Sequence, residues 1–407
     1  MVSASILLKM LVVSNAKLLT IRIFIMKILL LYEYPTNLGS MSIQGDLLRR
    51  GLIENGVECL PCHYEHRNKE REWFLKTHKA DAVLGIGWWV DTPTIIKGPQ
   101  KYGHTPVPWL LADGWVANYH DILSNLPLVF TTSSWVKETY ERDGVDTKNF
   151  EVLHVGFDAD KFKPINKSHP ALKEIRRMFG VKDSERMILT VGGDVTSKGA
   201  QEMIKALAKI DKDYSNWKYV CKSTNSDCAR DHHQEEIKLM DEVGLDSKKV
   251  IYVESDFSHD FMPYLLNAAD IYAAPSRLEG FGMIQMEAMA CGIPVVSIDA
   301  MGPKDTIMHG KTGFLAKVGE TIDLAEEWVT EEMGYKEVFK MKFDKPKTLA
   351  YRADVDELAD YTLRLLADDK LRAEMGQNAI KHARANFQYK SLAKKCIDIL
   401  KSKLNIS

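Results

Sequence analysis

The chain has 407 residues, 45 % of them apolar and 27 % charged, a soluble globular balance that excludes disorder and collagen and leaves room for two domains. Lys plus Arg number 54 against 56 Asp plus Glu, a net charge of −2, which argues against a protein whose main work is gripping nucleic-acid phosphates. Six cysteines in so long a chain point to reduced thiols and away from a secreted disulfide framework.

Residues 1–25 are apolar but broken by Lys9, Lys17 and Arg22, so no uninterrupted run approaches the ~20 residues of a membrane span. No small-residue cleavage pattern accompanies them. The folded part is expected to start at Met26, with residues 1–25 an extension outside it. From there short apolar runs alternate with helical patterns. Strands are expected over 28–32, 57–64, 82–86, 107–111, 128–131 and 152–155. Between the first two, Ile43, Leu47, Leu48 and Leu52 recur with a helical period that Gly56 stops. Polar residues and prolines between Pro164 and Pro170 read as a domain connection. A second series of strands is expected over 187–191, 219–222, 250–253, 271–274, 294–298 and 314–316, followed by a charged helical stretch over 367–403. This βαβ rhythm implies parallel sheets covered by helices on both faces. The predicted class is α/β, with domains at 26–165 and 166–375 and a terminal helix at 376–407. Ligands are expected at the carboxyl ends of the strands, in the cleft between the domains.

The most informative segment runs from Ala274 through Glu279-Gly-Phe-Gly-Met283 to Glu287 and Pro294. A strand ends, a loop with two glycines follows, and a helix starts near Met283. Gly280 and Gly282 let backbone N–H groups approach a ligand, and the helix amino terminus behind them favours an anion. Glu279 sits in the loop and Glu287 about one turn into the helix. A carboxylate accepts two hydrogen bonds from a vicinal diol, the group a ribose or hexose presents. A second strand–glycine–helix segment holds Gly192, Gly193 and Lys198, and Lys198 before the helix start can reach a diphosphate as a point charge.

As an ordered set these segments resemble the retaining glycosyltransferases of the GT-B fold, family 4, also called glycosyl transferases group 1. The resemblance runs from Met26 onward and includes Glu279-x7-Glu287, Ala290-Cys-Gly-Ile-Pro294-Val, the Lys198-Gly199 loop, His309-Gly-Lys-Thr-Gly313-Phe, Ser133 to Glu138, and the linker Val155-Gly156-Phe-Asp158 with Phe162 and Pro164. It implies two Rossmann-like α/β domains facing each other across a cleft, the second holding a nucleotide-diphosphate sugar as co-substrate and the first an acceptor, with the terminal helix 376–407 returning to the first domain. It implies that Glu279 touches the donor sugar and steadies charge at its anomeric carbon, and that Glu287 binds the ribose diol. Lys198 would neutralise the diphosphate leaving group, with the N–H groups around Phe281 to Met283 assisting. No protein nucleophile, metal or other cofactor is implied.

Three departures mark this chain. Gly193 stands where many relatives carry Arg, and Lys222 at the end of the next strand is the proposed second cation. Asp113 remains of a His-Asp pair. The amino-terminal glycine loop has Gly39-Ser40 where two glycines are common. Trp88 and Trp115 follow expected strand ends and are candidates, with Gly39 and Ser40, for the acceptor side. Other strings read as decoys: Gly310-Lys311-Thr312 lacks the first glycine of a P-loop, and neither Asp158-Ala-Asp160 nor Asp354-Val-Asp356 ends a strand as a metal-binding DxD would. Cys59-Leu-Pro-Cys62-His63 has haem-attachment spacing but lies in a strand-like stretch, so buried thiols are expected. Cys221, Cys228, His232 and His233 match no known zinc spacing. The basic, aromatic stretch 66–79 is interspersed with Glu70 and Glu72, which favours a solvated helix face over docking on an anionic membrane. The combined expectation is a cytoplasmic, metal-independent glycosyltransferase, with peripheral contact at the inner face of a membrane as the lesser alternative. Rival readings are a sugar phosphorylase or nucleotide-sugar epimerase of the same fold, or a non-catalytic sugar-nucleotide-binding subunit.

Overall fold

The computed structural model describes residues 25–63, 68–224 and 233–406. Two six-stranded parallel sheets organise them. The first contains β1 (Lys27–Tyr32), β2 (Glu58–His63), β3 (Ala82–Gly87), β4 (Pro106–Leu110), β5 (Val129–Thr131) and β6 (Phe150–Val152), in the order β2-β1-β3-β4-β5-β6. The second contains β7 (Arg186–Val191), β8 (Trp217–Ser223), β9 (Val250–Glu254), β10 (Ile271–Ala273), β11 (Val295–Ile298) and β12 (Gly313–Ala316), in the order β12-β11-β10-β7-β8-β9. Leu29, Leu30 and Leu31 point alternately to opposite faces yet all are fully buried, because helices cover both faces of a parallel sheet. The two-domain Rossmann-like architecture expected from the βαβ rhythm is the one observed.

The strand orders fix where ligands can sit. The order reverses between β1 and β3 in the first sheet and between β7 and β10 in the second, and crevices beyond strand carboxyl ends at such points are where open α/β sheets bind ligands. The loop holding Gly39 and Ser40 follows β1. The loops holding Lys198 and Glu279 follow β7 and β10.

The sequence reading does not anticipate a third sheet, an antiparallel hairpin of β13 (Val318–Val329) and β14 (Phe339–Ala353). It belongs in sequence to the second domain and reaches onto the first. Tyr335 donates its hydroxyl to the Ala117 carbonyl at 2.7 Å, and Asn118 donates to the Met333 carbonyl at 2.9 Å. Lys347 Nζ lies 2.9 Å from the Val116 carbonyl and 3.1 Å from Asp143. The Phe343 ring packs on Trp115, centroids 5.7 Å apart. At its base, Arg352 and Arg277 share the buried Glu202 carboxylate, so the hairpin root is tied to the loop that carries Glu279.

The expected single helical stretch over 367–403 is instead interrupted. Helices Val355–Ala367 and Asp369–Asn386 precede a break at Phe387, and helix Tyr389–Leu404 follows it. The break has a tertiary cause: Phe387 is buried, and its carbonyl accepts from the Phe157 N–H at 2.9 Å while the Tyr389 N–H donates to the Phe157 carbonyl at 3.1 Å. Helix Asp369–Asn386 buries Met375 and Ala379 against the second domain. Helix Tyr389–Leu404 lies on the first, with the Tyr389 hydroxyl 2.8 Å from Glu54 and Lys403 2.7 Å from Glu151. The chain therefore crosses between the domains twice, and the two crossings touch. No helix among the described residues is long and apolar enough to cross a membrane.

Candidate active site in the interdomain cleft

β7 ends at Val191, and the loop after it turns back on itself. A Cβ on Gly192 would stand 2.6 Å from Lys198 Cγ, so glycine is needed there for the lysine stem to fold over the strand end. Lys198 Nζ then meets Glu279 Oε2 at 2.7 Å, with side-chain exposures of only 25 % and 16 %. Two loops that flank one switch point are thus joined by an ion pair. Gly282, at φ +96°, turns the chain from the Glu279 loop into helix Met283–Ala290, a conformation that a side chain would strain. No acidic side chain occupies the first turn of that helix, which leaves its amino terminus facing the cleft.

Glu287 lies one turn further along and is 5 % exposed. Its Oε1 is 3.2 Å from His259 Nε2. Lys222 is the penultimate residue of β8, is equally buried, and holds its Nζ 5.8 Å from the Phe257 ring centroid. Burial pulls its ammonium below the usual lysine range, and Asp256 partly restores it. An anion placed beside Lys222 would complete that restoration.

Two cavities adjoin these groups, of about 150 and 580 Å³. Glu279, Gly280, Phe281 and Gly282 border the smaller. Gly192, Gly193, Lys222, Glu287 and Gly39 border the larger. Lys198, Met283 and Ser40 border both. The remaining three candidates stand elsewhere. Asp113 follows β4 and is exposed, though desolvation by its neighbours pushes its carboxyl above the usual range. Trp88 is half-buried with its ring edge-on to Trp89. Trp115 is buried between Trp89 and Phe343, a packing position.

Among the described residues no group of three His, Cys, Asp or Glu side chains is placed to hold a metal; Cys228 and His232 lie outside them. Burial pushes the Cys59 and Cys62 thiols up to about 12 and about 11, which suits core residues. Asp354 caps helix Val355–Ala367 through the Asp356 and Glu357 N–H groups, and Asp158 pairs with Arg50 at 2.7 Å.

Sequence reasoning passed over three further features. His154 of the first domain and the Ser134 N–H both meet Asp305 of the second, at 3.2 and 2.7 Å. Burial opposes the Asp305 charge, but these two donors hold its carboxyl below the usual range. Asp305 lies near the Glu279 loop, whose carbonyl accepts from the Gly302 N–H at 3.0 Å. Gln44 and Thr132, both buried, border the smaller cavity from the first domain. The third feature is the loop after β9, with Asp256, Phe257 and His259 at the larger cavity; the strand-end rule that singled out Lys198 and Glu279 could have found it.

Lys222→Ala is expected to weaken binding of a nucleoside diphosphate about tenfold, the loss of one charge-assisted hydrogen bond, while Lys222→Arg retains most of it. Titration calorimetry on both variants checks this; an unchanged affinity in Lys222→Ala would remove Lys222 from the site.

Residues 172–328 match the family described as glycosyl transferases group 1. Over 199 residues the chain is 28 % identical to D-inositol 3-phosphate glycosyltransferases of Mycobacterium bovis and Mycobacterium tuberculosis, a match over 48 % of this chain and 39 % of the relatives. The chain thus spans well under half the length of the curated relatives it matches. Among solved structures, a sucrose-phosphate synthase from Thermosynechococcus elongatus superposes with a TM-score of 0.70 at 18 % identity, over 94 % of this chain and all of that one. Anabaena HepE in complex with UDP-glucose gives 0.68 at 18 % identity over 93 % of this chain and all of that one. A glycosyltransferase from Rickettsia africae gives 0.70 at 16 %, over 94 % of this chain and all of that one. The fold is therefore GT-B, and the part of the second domain that carries Lys198, Glu279 and Glu287 matches the glycosyl transferases group 1.

Proposed function

We propose that this chain is a retaining glycosyltransferase that moves a sugar from a nucleotide-diphosphate sugar to an acceptor hydroxyl without a metal. The observation that carries the reading is the Lys198–Glu279 ion pair, which joins the loops flanking the switch point of the second sheet, with Glu287 one helical turn below. The HepE complex with UDP-glucose makes a nucleotide sugar the natural donor class for a chain of this fold.

In the proposed reaction the diphosphate lies along the amino terminus of helix Met283–Ala290, with Lys198 and Lys222 supplying the two cations that its leaving charge requires. Glu279 turns from Lys198 to the hydroxyls of the donor sugar and stabilises positive charge at the anomeric carbon. Glu287 accepts from the ribose diol. Preorganised groups aimed at developing charge are the main catalytic term in such sites. Retention follows if the acceptor hydroxyl attacks the face the diphosphate leaves, with a leaving-group oxygen taking its proton, so that no protein nucleophile is needed. Gly39, Ser40, Gln44 and Thr132 face this point from the first domain and make the acceptor side.

The test is a thermal-shift panel of nucleoside diphosphates and nucleotide sugars. Ligand at 100 times its Kd stabilises the native state by about 2.7 kcal/mol, so the cognate nucleotide is expected to raise the melting midpoint by several degrees. A panel with no shift for any member would overturn the reading.

A further inference from the structure

We propose that His259 is a positioning residue of this site: it fixes the Glu287 carboxylate for a ribose diol, and Lys161 of the interdomain linker fixes His259. The proposal rests on the donor-site reading above and adds to it a residue that no motif announces. His259 Nε2 lies 3.2 Å from Glu287 Oε1. Its other ring nitrogen, Nδ1, lies 2.8 Å from Lys161 Nζ, and the same ammonium reaches Asp260 at 2.7 Å. The imidazole is further held by the Phe162 ring, centroids 5.3 Å apart.

Donor chemistry then settles the tautomer. A lysine ammonium has three N–H groups and no acceptor, so Nδ1 facing it accepts a hydrogen bond and the ring proton sits on Nε2. That proton is donated to Glu287. With Oε1 engaged, the carboxylate is held in one rotamer, and Oε2 remains for the diol of an incoming nucleotide. Glu287 is buried in the wall of the larger cavity, so an orientation fixed in advance lowers the ordering cost of binding. The arrangement extends to the hinge. The Lys161 backbone N–H donates to the Asp158 carbonyl at 3.2 Å, and Asp158 pairs at 2.7 Å with Arg50 of the first domain. A continuous set of polar contacts therefore runs from the first domain, through the linker, to the residue that grips the nucleotide.

The experiment is titration calorimetry of the full chain with UDP, GDP and ADP, each paired with its 2′-deoxy counterpart. The unaltered chain is expected to prefer the ribonucleotide about tenfold, one charge-assisted hydrogen bond. His259→Leu is expected to reduce that preference to about twofold. His259→Gln is expected to keep it, because the amide donates to Glu287 and accepts from Lys161. Lys161→Met is expected to lose it and Lys161→Arg to retain it. A merely structural role would lower the melting midpoint in the Leu and Gln variants alike and weaken both nucleotides equally. The proposal is overturned if His259→Leu keeps the full preference, or if His259→Gln loses as much as His259→Leu. Glu287→Gln separates the two levels. If it leaves the preference intact, the donor-site reading of Glu287 falls and this inference with it; if it abolishes the preference and His259→Leu does not, only the inference falls.

Discussion

Lys198→Ala is expected to slow release of nucleoside diphosphate from a nucleotide sugar by about 10²–10³, the cost of removing one preorganised group from a developing charge. Its ammonium pairs with Glu279 at 2.7 Å, so the two side chains form one unit. In the proposed reaction the diphosphate would take over the ammonium and the sugar would take over the carboxylate. Glu279→Gln is therefore expected to cost a similar factor, and the double variant little more than the worse single one. Initial rates of donor hydrolysis without acceptor measure all three proteins on the same scale. Thermal melting adds a second readout. Lys198→Ala leaves a mostly buried carboxylate without this partner, at a cost of about 1–3 kcal/mol, and the double variant should recover much of it. Fully additive losses in both rate and stability would show that the pair does not work as a unit.

What made this pair legible was its backbone setting. Apolar runs buried on both faces announce parallel strands and glycines directly after them announce close approach; a charged residue at one such point is commonly a solvated or capping group, and it is the ordered set of them that carries the resemblance. Lys198, Glu279 and Glu287 all satisfied that pattern and all border the cleft. His259 also follows a strand, so the strand-end rule reaches its loop, but no glycine there singles out the residue, whose partners are Lys161, 98 positions away, and Glu287, 28 positions away. Trp115 satisfied the strand-end rule, yet its ring is covered by Phe343 from the hairpin, an element absent from the sequence reading. The hairpin itself alternates, with Ile322 and Leu324 half-buried and Thr321 and Asp323 exposed, and with Met341 and Phe343 covered while Lys340 and Lys342 are not. That period-2 signal runs through so many charged residues that it resembles a solvated loop. Phe343 packs on Trp115 and Leu349 lies on Gly114 of the first domain, and local pattern carries no record of a partner some 200 residues distant.

The hairpin is the second place where a large effect is expected. Ile322 and Ala350 stand directly opposite each other, so deleting residues 323–349 and joining them through Asn-Gly gives a short hairpin with a turn suited to its twist. The deletion spares Tyr351 and Arg352, which hold the Arg277 carbonyl and the Glu202 carboxylate, and so leaves the root of the Glu279 loop in place. It removes Met333, Tyr335, Phe343, Lys347 and Thr348, and with them the hydrogen bonds and ring contact to residues 115–118 and 142–143 of the first domain. Between the domains there would remain chiefly the two touching crossings, the Asp305 contacts with Ser134 and His154, the Phe281 ring against His154, and helix Tyr389–Leu404. An interface trimmed to these is expected to open, because interdomain contacts of modest size permit relative motion by default. Small-angle scattering should show a larger radius of gyration. Nucleoside diphosphate binding, which the proposed reaction assigns to the second domain, should stay within about threefold, a shift of less than 1 kcal/mol. Transfer to an acceptor, which in the proposed reaction needs both domains at once, should fall by about 10² or more, the scale of loss when a reacting partner is misplaced by an ångström. Unchanged scattering together with unchanged transfer would make the hairpin an ornament of the second domain, and a loss of nucleotide binding equal to the loss of transfer would place its role in the donor site instead.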